Sequence, residues 1–320
     1  MDFELSEADE ALQEGIRRLC AGRFDIETIR GLEPVAGVDR DRWRALADTG
    51  VFSLRQSEAD GGVGLGMTEA VLVFEELGRA LVPGPLVGTH LAAGVIGGAG
   101  NGTVVVGGVH RREQPAVVAH LDALDRLVVL DDAGLWAVGP DSLSAEPVER
   151  PLDPLTPLHR VERFPAGDQV GDARMAQRWE LEGTVLAAAL LLGLAQATVD
   201  LGVAYARERE QFGRPIAGFQ AVKHLLADML ARAEVARSAV YAAGVTLDQP
   251  EVGDASRAAA GAKHVAGHAA TANGKACIQV HGGMGFTWEI DAHLYLKRAW
   301  VLDTVFGSPD HHAEAVAAAL

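Results

Sequence analysis

The sequence predicts a mainly helical α+β fold in three parts: an N-terminal helical domain over 1–100, a small middle β domain over 101–170 and a C-terminal four-helix bundle over 171–320. Three observations lead there. Apolar residues recur at three- and four-residue steps at both ends of the chain, the period of a helix with one buried face. Between these regions lie short Val-rich runs separated by turn residues, the pattern of strands. The chain is 320 residues long, 48% hydrophobic and 22% charged, so it can build a substantial core and does not read as disordered.

The first helix is expected over SEADEALQEGIRRLCAGRF, with Ser6 as its N-cap and Glu10 shortly after. DRDRWRALADTG is a second helix, stopped at Gly50. MTEAVLVFEELGRAL is a third, entered from the glycine-rich DGGVGLG and stopped by VPGPL. That glycine-rich loop follows no strand and lacks both the GxGxxG order and a Lys-Ser/Thr ending, so it does not read as a phosphate loop. From Asn101 the runs TVVVGGV, AVVAHL, RLVVLDD and GLWAVG are expected strands, and the Pro-rich PLDPLTPLHR closes the region. Helices return at Met175. Leu186, Leu190, Leu194, Ala197 and Leu201 mark one face, and Val222, Leu226, Met229, Ala233, Ala236 and Val240 the next. The Ala/Gly-rich stretch around Lys263–Cys277 allows close helix packing, and long helices with short connections make a bundle. No internal repeat is found.

The formal net charge of -16 argues against sequence-independent nucleic-acid binding and against docking on anionic membrane. Cys20 and Cys277 suggest neither a disulfide framework nor a metal knuckle. The acidic amino terminus lacks a signal-like apolar core, and GTVLAAALLLGLAQATV falls short of the ~18 apolar residues of a membrane span. The cytoplasm is therefore the expected compartment. Against this acidic background, Arg207, Arg209 and Arg214 cluster at one helix end, which points to an anionic ligand. Their alternation with Glu208 and Glu210 also suits a solvated helix end.

Two long C-terminal stretches, RERE-QFGRPIAGFQAVKHLLADM and CIQVHGGMGFTWEIDAHLYLKRA, resemble the signatures of the acyl-CoA dehydrogenases. WRALADTGVFSL and EAVLVFEELGRALVPGPL resemble that family's N-terminal helices, whereas the middle of the chain matches poorly. The resemblance implies an FAD-dependent enzyme that introduces an α,β double bond into an acyl-CoA. It also implies that the C-terminal bundle covers the adenine and diphosphate of a neighbouring subunit's flavin. Carried over by position, the contacts fall on Arg209, Gln211, Phe212, Gln220, Gln279, Gly282 and Gly283. The chemistry agrees: an Arg fork suits a diphosphate, and glycines allow close backbone approach.

Two departures qualify that expectation. The family's Thr-Glu and Trp-Ile-Thr/Ser segments, which hold the flavin ring, have no counterpart between Asn101 and Val170; Trp136 is the one tryptophan there, and its flanks do not fit. The general base is also missing. The two positions at which the family places its glutamate here hold Phe306 and Gly183. Glu182 is the nearest substitute, one residue and about 100° of helix away, and Asp303 lies near the other position. The pattern resembles the short subunits of heteromeric actinobacterial steroid-degrading acyl-CoA dehydrogenases, in which two short and two full-length chains form an α2β2 tetramer. That resemblance implies a full-length partner, an acyl-CoA substrate, FAD held mainly by the partner and an electron-transfer flavoprotein as a possible acceptor. A non-catalytic structural partner of the same fold is the alternative, followed by a flavin monooxygenase-like relative. His264 and His268 share a helix face but lack a third ligand. Asp310 is expected to cap the last helix, ahead of His311 and His312. No metal site is expected.

Overall fold

The computed structural model describes residues 5–33, 37–112 and 115–319. Helix α1, Glu7–Arg23, begins at Ser6, whose hydroxyl accepts the Asp9 amide while the Asp9 carboxylate accepts the Ser6 amide. The reciprocal cap is therefore closed by Asp9 rather than Glu10. Helix α2 is Ile26–Gly31, and α3 is Arg40–Asp48, capped by Asp39 and followed by Gly50 at φ 82°. Helix α4, Met67–Arg79, precedes a short α5, Leu86–Ala92, where the sequence suggested only a stop. Pro85 stands at its N-cap, so the missing proline N–H is no loss, and six of its seven residues are buried.

The four Val-rich runs form β1 (Val106–His110), β2 (Ala116–Ala119), β3 (Arg126–Asp131) and β4 (Gly134–Val138). Three strands were not anticipated: β5 (Ala145–Pro147), β6 (Leu158–Val161) and β7 (Asp168–Asp172). One sheet runs β1-β3-β4-β7, with β1 and β3 parallel and the other pairs antiparallel; a second runs β2-β6-β5, all antiparallel. Then come α6 (Ala173–Glu208), a hairpin of β8 (Glu210–Gln211) and β9 (Arg214–Pro215), α7 (Gln220–Asp248), α8 (Ala255–His281), α9 (Ala292–Leu302) and α10 (Pro309–Ala318). Helix α6 is long and apolar enough to cross a membrane by composition, but its most apolar window is 83% buried within the fold, the behaviour of a core helix.

The chain divides into two compact units. One holds Met1–Ile26, Val71–Val82 and Thr184–Leu320; the other holds Glu27–Ala70 and Pro83–Gly183. In the first, Gly78 of α4 and Gly193 of α6 let two helix backbones meet directly, leaving no room for a Cβ on either. Asn273 on α8 donates to the carbonyls of Ala195 and Met229 and accepts from Arg232, tying α6, α7 and α8 through one buried amide. Glu76 of α4 accepts from Nε and Nη2 of Arg17, and Glu75 accepts from Tyr241 and Arg237, so these buried carboxylates are paired. The second unit packs Leu127, Val128 and Val129 of β3 into its core, with Trp43 against Phe52 at 4.6 Å.

Candidate functional site

The arginine corner is built by the β8–β9 hairpin of the first unit. Arg209 is pinned through its backbone: its amide donates to the Tyr205 carbonyl at 2.8 Å, and its carbonyl accepts from Ile216 at 2.7 Å. Its side chain is exposed and, among the described residues, forms no ion pair, although Glu208 and Glu210 flank it. Arg207 is likewise exposed and unpaired among these residues. Arg214 differs, since its guanidinium lies 4.2 Å over the Phe219 ring. The hairpin turns on Phe212 at φ 53° and Gly213 at φ 75°. Two consecutive left-handed residues make a tight hairpin of native twist, but phenylalanine holds that conformation at a cost. The turn drives Phe212 into solvent, 91% exposed, with one edge-on contact to Phe219 at 6.0 Å. Gln211 is exposed, its amide turned back to the Glu210 carbonyl. Gln220 opens α7 and pairs with His224 at 3.3 Å, and no side chain caps that helix. An uncapped N-terminus of 29 residues following the arginine hairpin suits an anion.

The second motif ends α8. Gln279 is exposed in its last turn, and Gly282 adopts φ 60° and ψ -137°, closed to other residues. A Cβ at Gly282 or Gly283 would meet nothing within 4 Å, so the surface there is open on this chain's side. Gly285 is different, packed on the Ile278 backbone. Tyr205 joins the two motifs: its ring stacks on His281 at 4.2 Å, which sets the end of α6 against the end of α8. His281 is fixed in turn by the Cys277 carbonyl at 2.8 Å. Sequence reasoning passed over both residues. Their signal was positional, Tyr205 lying one helical turn before Arg209 and His281 two residues after Gln279.

These features fit the diphosphate and adenosine end of FAD: free cationic arms, uncapped helix donors and open glycine backbone. In the second unit, the tryptophan of the middle region is already engaged. Trp136 lies in β4 and gives its indole N–H to Asp131 at 2.9 Å. The nearby cavity, lined by His110, Arg112, Asp131, Asp132 and Glu180 among others, measures about 150 Å³, below the ~300 Å³ at which ligand pockets begin. Ion pairs crowd it, Arg111–Asp131 at 3.1 Å and Arg112–Asp132 at 2.8 Å. A larger cavity of about 680 Å³ is lined by glycines with Asp48 and Asp60 and no cationic side chain, which disfavours a phosphate ligand.

Glu182 is buried and receives both Arg55 arms, at 2.8 and 2.6 Å, and the Arg178 Nε at 2.6 Å. Burial pushes its carboxyl up, but the two arginines outweigh burial and hold it below the usual range. That is the reverse of what a proton-abstracting glutamate needs. Gly183 is buried, and Phe306 stands at φ 59°. Asp303 turns its carboxylate onto Gly267 of α8, and its carbonyl accepts from the buried Lys263 at 2.9 Å; burial raises its pKa. The cap of α10 is Ser308, accepting from His311, and not Asp310, which lies within the first turn. His264 bonds the Pro309 carbonyl.

Family models described as Acyl-CoA dehydrogenase, N-terminal domain and Acyl-CoA dehydrogenase, C-terminal domain match residues 6–103 and 179–320. Acyl-CoA dehydrogenase IpdE2 of Mycolicibacterium smegmatis is 34% identical over 95% of this chain and 96% of its own. Acyl-CoA dehydrogenase FadE34 of Mycobacterium tuberculosis is 36% identical over 92% of this chain, which spans 45% of that protein's length. Solved structures of the same fold include the ChsE4-ChsE5 complex from Mycobacterium tuberculosis, with TM-score 0.87, 24% identity and 99% and 98% of the two chains covered. A Tcur3481-Tcur3483 steroid ACAD variant gives TM-score 0.87 at 23% identity, covering 98% and 97%. The chain belongs to the acyl-CoA dehydrogenase family, the flavoprotein oxidoreductases that act on the CH–CH bond of acyl-CoA thioesters.

Proposed function

We propose that this chain is the short subunit of an α2β2 acyl-CoA dehydrogenase, completing the FAD site of a full-length partner subunit. One observation carries the reading: a half-site of Arg209 without an ion pair among the described residues, exposed Phe212 and open Gly282–Gly283, while Trp136 of the second unit is tied to Asp131 and Glu182 to two arginines. Arg209 would neutralise the diphosphate, with Gln220 and the α7 amides beside it. Gln211 and Phe212 would cover the cofactor from the hairpin, and Gln279, Gly282 and Gly283 would border the adenosine. When bound, FAD supplies the hydride acceptor. This chain's part is to bind, orient and exclude water, and the proton-abstracting carboxylate belongs to the partner. The three-part division at 1–100, 101–170 and 171–320 follows these roles, with the last part contacting FAD and forming the oligomer. A steroid-derived CoA ester as substrate, an electron-transfer flavoprotein as acceptor and a cytoplasmic setting complete the reading. The steroid element rests on analogy with the heteromeric structures above.

The narrower reading, a structural partner with no catalytic side chain, is favoured by Phe306, Gly183 and the ion-paired Glu182. The two agree on the half-site, and one comparison tests it. In the co-purified complex, Arg209→Ala should release FAD far more readily than Arg207→Ala. Charge-assisted bonds contribute about 1.5–3 kcal/mol each, whereas an exposed helix arginine contributes about 0.5 kcal/mol. Equal retention in the two variants overturns the assignment of Arg209.

A further inference from the structure

Besides Phe212, the most exposed aromatic side chains of the first unit lie on the loop that follows the glycines: Phe286 is 85% and Trp288 63% exposed. Phe286 shows no ring partner among the described residues, but Trp288 is held. Lys297 places its Nζ 4.1 Å from the indole centroid, and His293 meets the ring nearly perpendicularly at 4.7 Å. One indole face is thus occupied by a cation and the orientation is fixed before any ligand arrives, which removes part of the ordering cost of binding. Trp288 stands five residues beyond Gly283, after the 3₁₀ turn Gly282–Phe286.

We propose that Trp288, oriented by Lys297 and His293, is a stacking platform for the adenine of the FAD whose diphosphate lies at Arg209. The inference rests on the half-site reading above. The surroundings favour a base over a protein side chain. Gly282 and Gly283 offer open backbone without Cβ, and the exposed Gln279 carries both a donor and an acceptor for a base edge. Stacking needs only a π-face, which every base has.

The test uses the complex with its full-length subunit, stripped of flavin and titrated with FAD or with FMN, which lacks the adenylate. Affinity is followed by flavin fluorescence and assembly by gel filtration. Trp288→Ala should weaken FAD about 5- to 150-fold, the range of base–aromatic stacking. Trp288→Phe should keep most of the affinity, FMN binding should be unchanged, and the complex should stay assembled. Unaltered FAD affinity in Trp288→Ala, an equal loss for FMN, or dissociation of the subunits each overturns the platform; the last would make Trp288 a protein–protein anchor. Arg209→Ala in the same titration separates the two ideas. If it weakens FAD while Trp288→Ala does not, the platform alone fails; if it has no effect, the half-site fails.

Discussion

The Glu182 carboxylate takes three short bonds from two arginines, and the side chain is only 10% exposed. Breaking a buried pair by removing one partner leaves an uncompensated charge, at a cost of about 3–5 kcal/mol. Glu182→Gln should therefore lower the urea midpoint strongly. The folded complex should keep its dehydrogenation rate per flavin, whereas loss of a general base would cost at least ~10²-fold. The pH dependence has a definite sign. A carboxyl held below its ordinary value of about 4.3 contributes stability that is complete above that pH and lost as pH falls through the folded value. The stability gap between wild type and Glu182→Gln should thus be constant near neutrality and close in acid. The sequence placed Glu182 beside a family position but gave no sign of Arg55, which lies 127 residues away. Arg209 was singled out because its neighbours form a long, specific motif. Tyr205 and His281 were not, because their contact spans 76 residues.

Helix periodicity made α1, α3, α4 and the long C-terminal helices readable, and Val-rich runs did the same for β1 to β4. Helix α5 was hidden by Pro83 and Pro85, which read as a stop although one of them begins the helix. The strands Ala145–Pro147 and Asp168–Asp172 carry little β-branched character and are specified by their neighbours in the sheet. The crossing of α4 and α6 was equally invisible, since Gly78 and Gly193 look like helix-weakening residues. Their packing reverses the usual expectation. Gly193→Ala should gain up to ~1 kcal/mol from helix propensity, yet its Cβ meets the Glu75 carbonyl and the Arg79 amide. Overpacking of this kind costs about 1–3 kcal/mol, so the variant should be less stable in a denaturant melt. Gly15→Ala in α1, where nothing lies within 4 Å, should instead stabilise by about 0.5–1 kcal/mol. Stabilisation by both changes would contradict the close crossing.

At the scale of the whole molecule, a chain of net charge -16 keeps three arginines at one helix end, two of them without ion-pair partners among the described residues. It also projects Phe212, Phe286 and Trp288 into solvent on the segments next to that site and next to the glycines. Neither feature is a comfortable end state for an isolated protein. Both are what the proposed half-site for a partner's FAD requires. The sequence suggested this division through what it kept and what it lacked, and the ion-paired Glu182 accords with it. The most direct measurement is the FAD content per polypeptide, by absorbance after gel filtration, of this chain purified alone and of its complex with a full-length subunit. The account predicts almost no flavin on the chain alone and one flavin per pair of unlike chains. A yellow homo-oligomer of this chain with one FAD per polypeptide would contradict it.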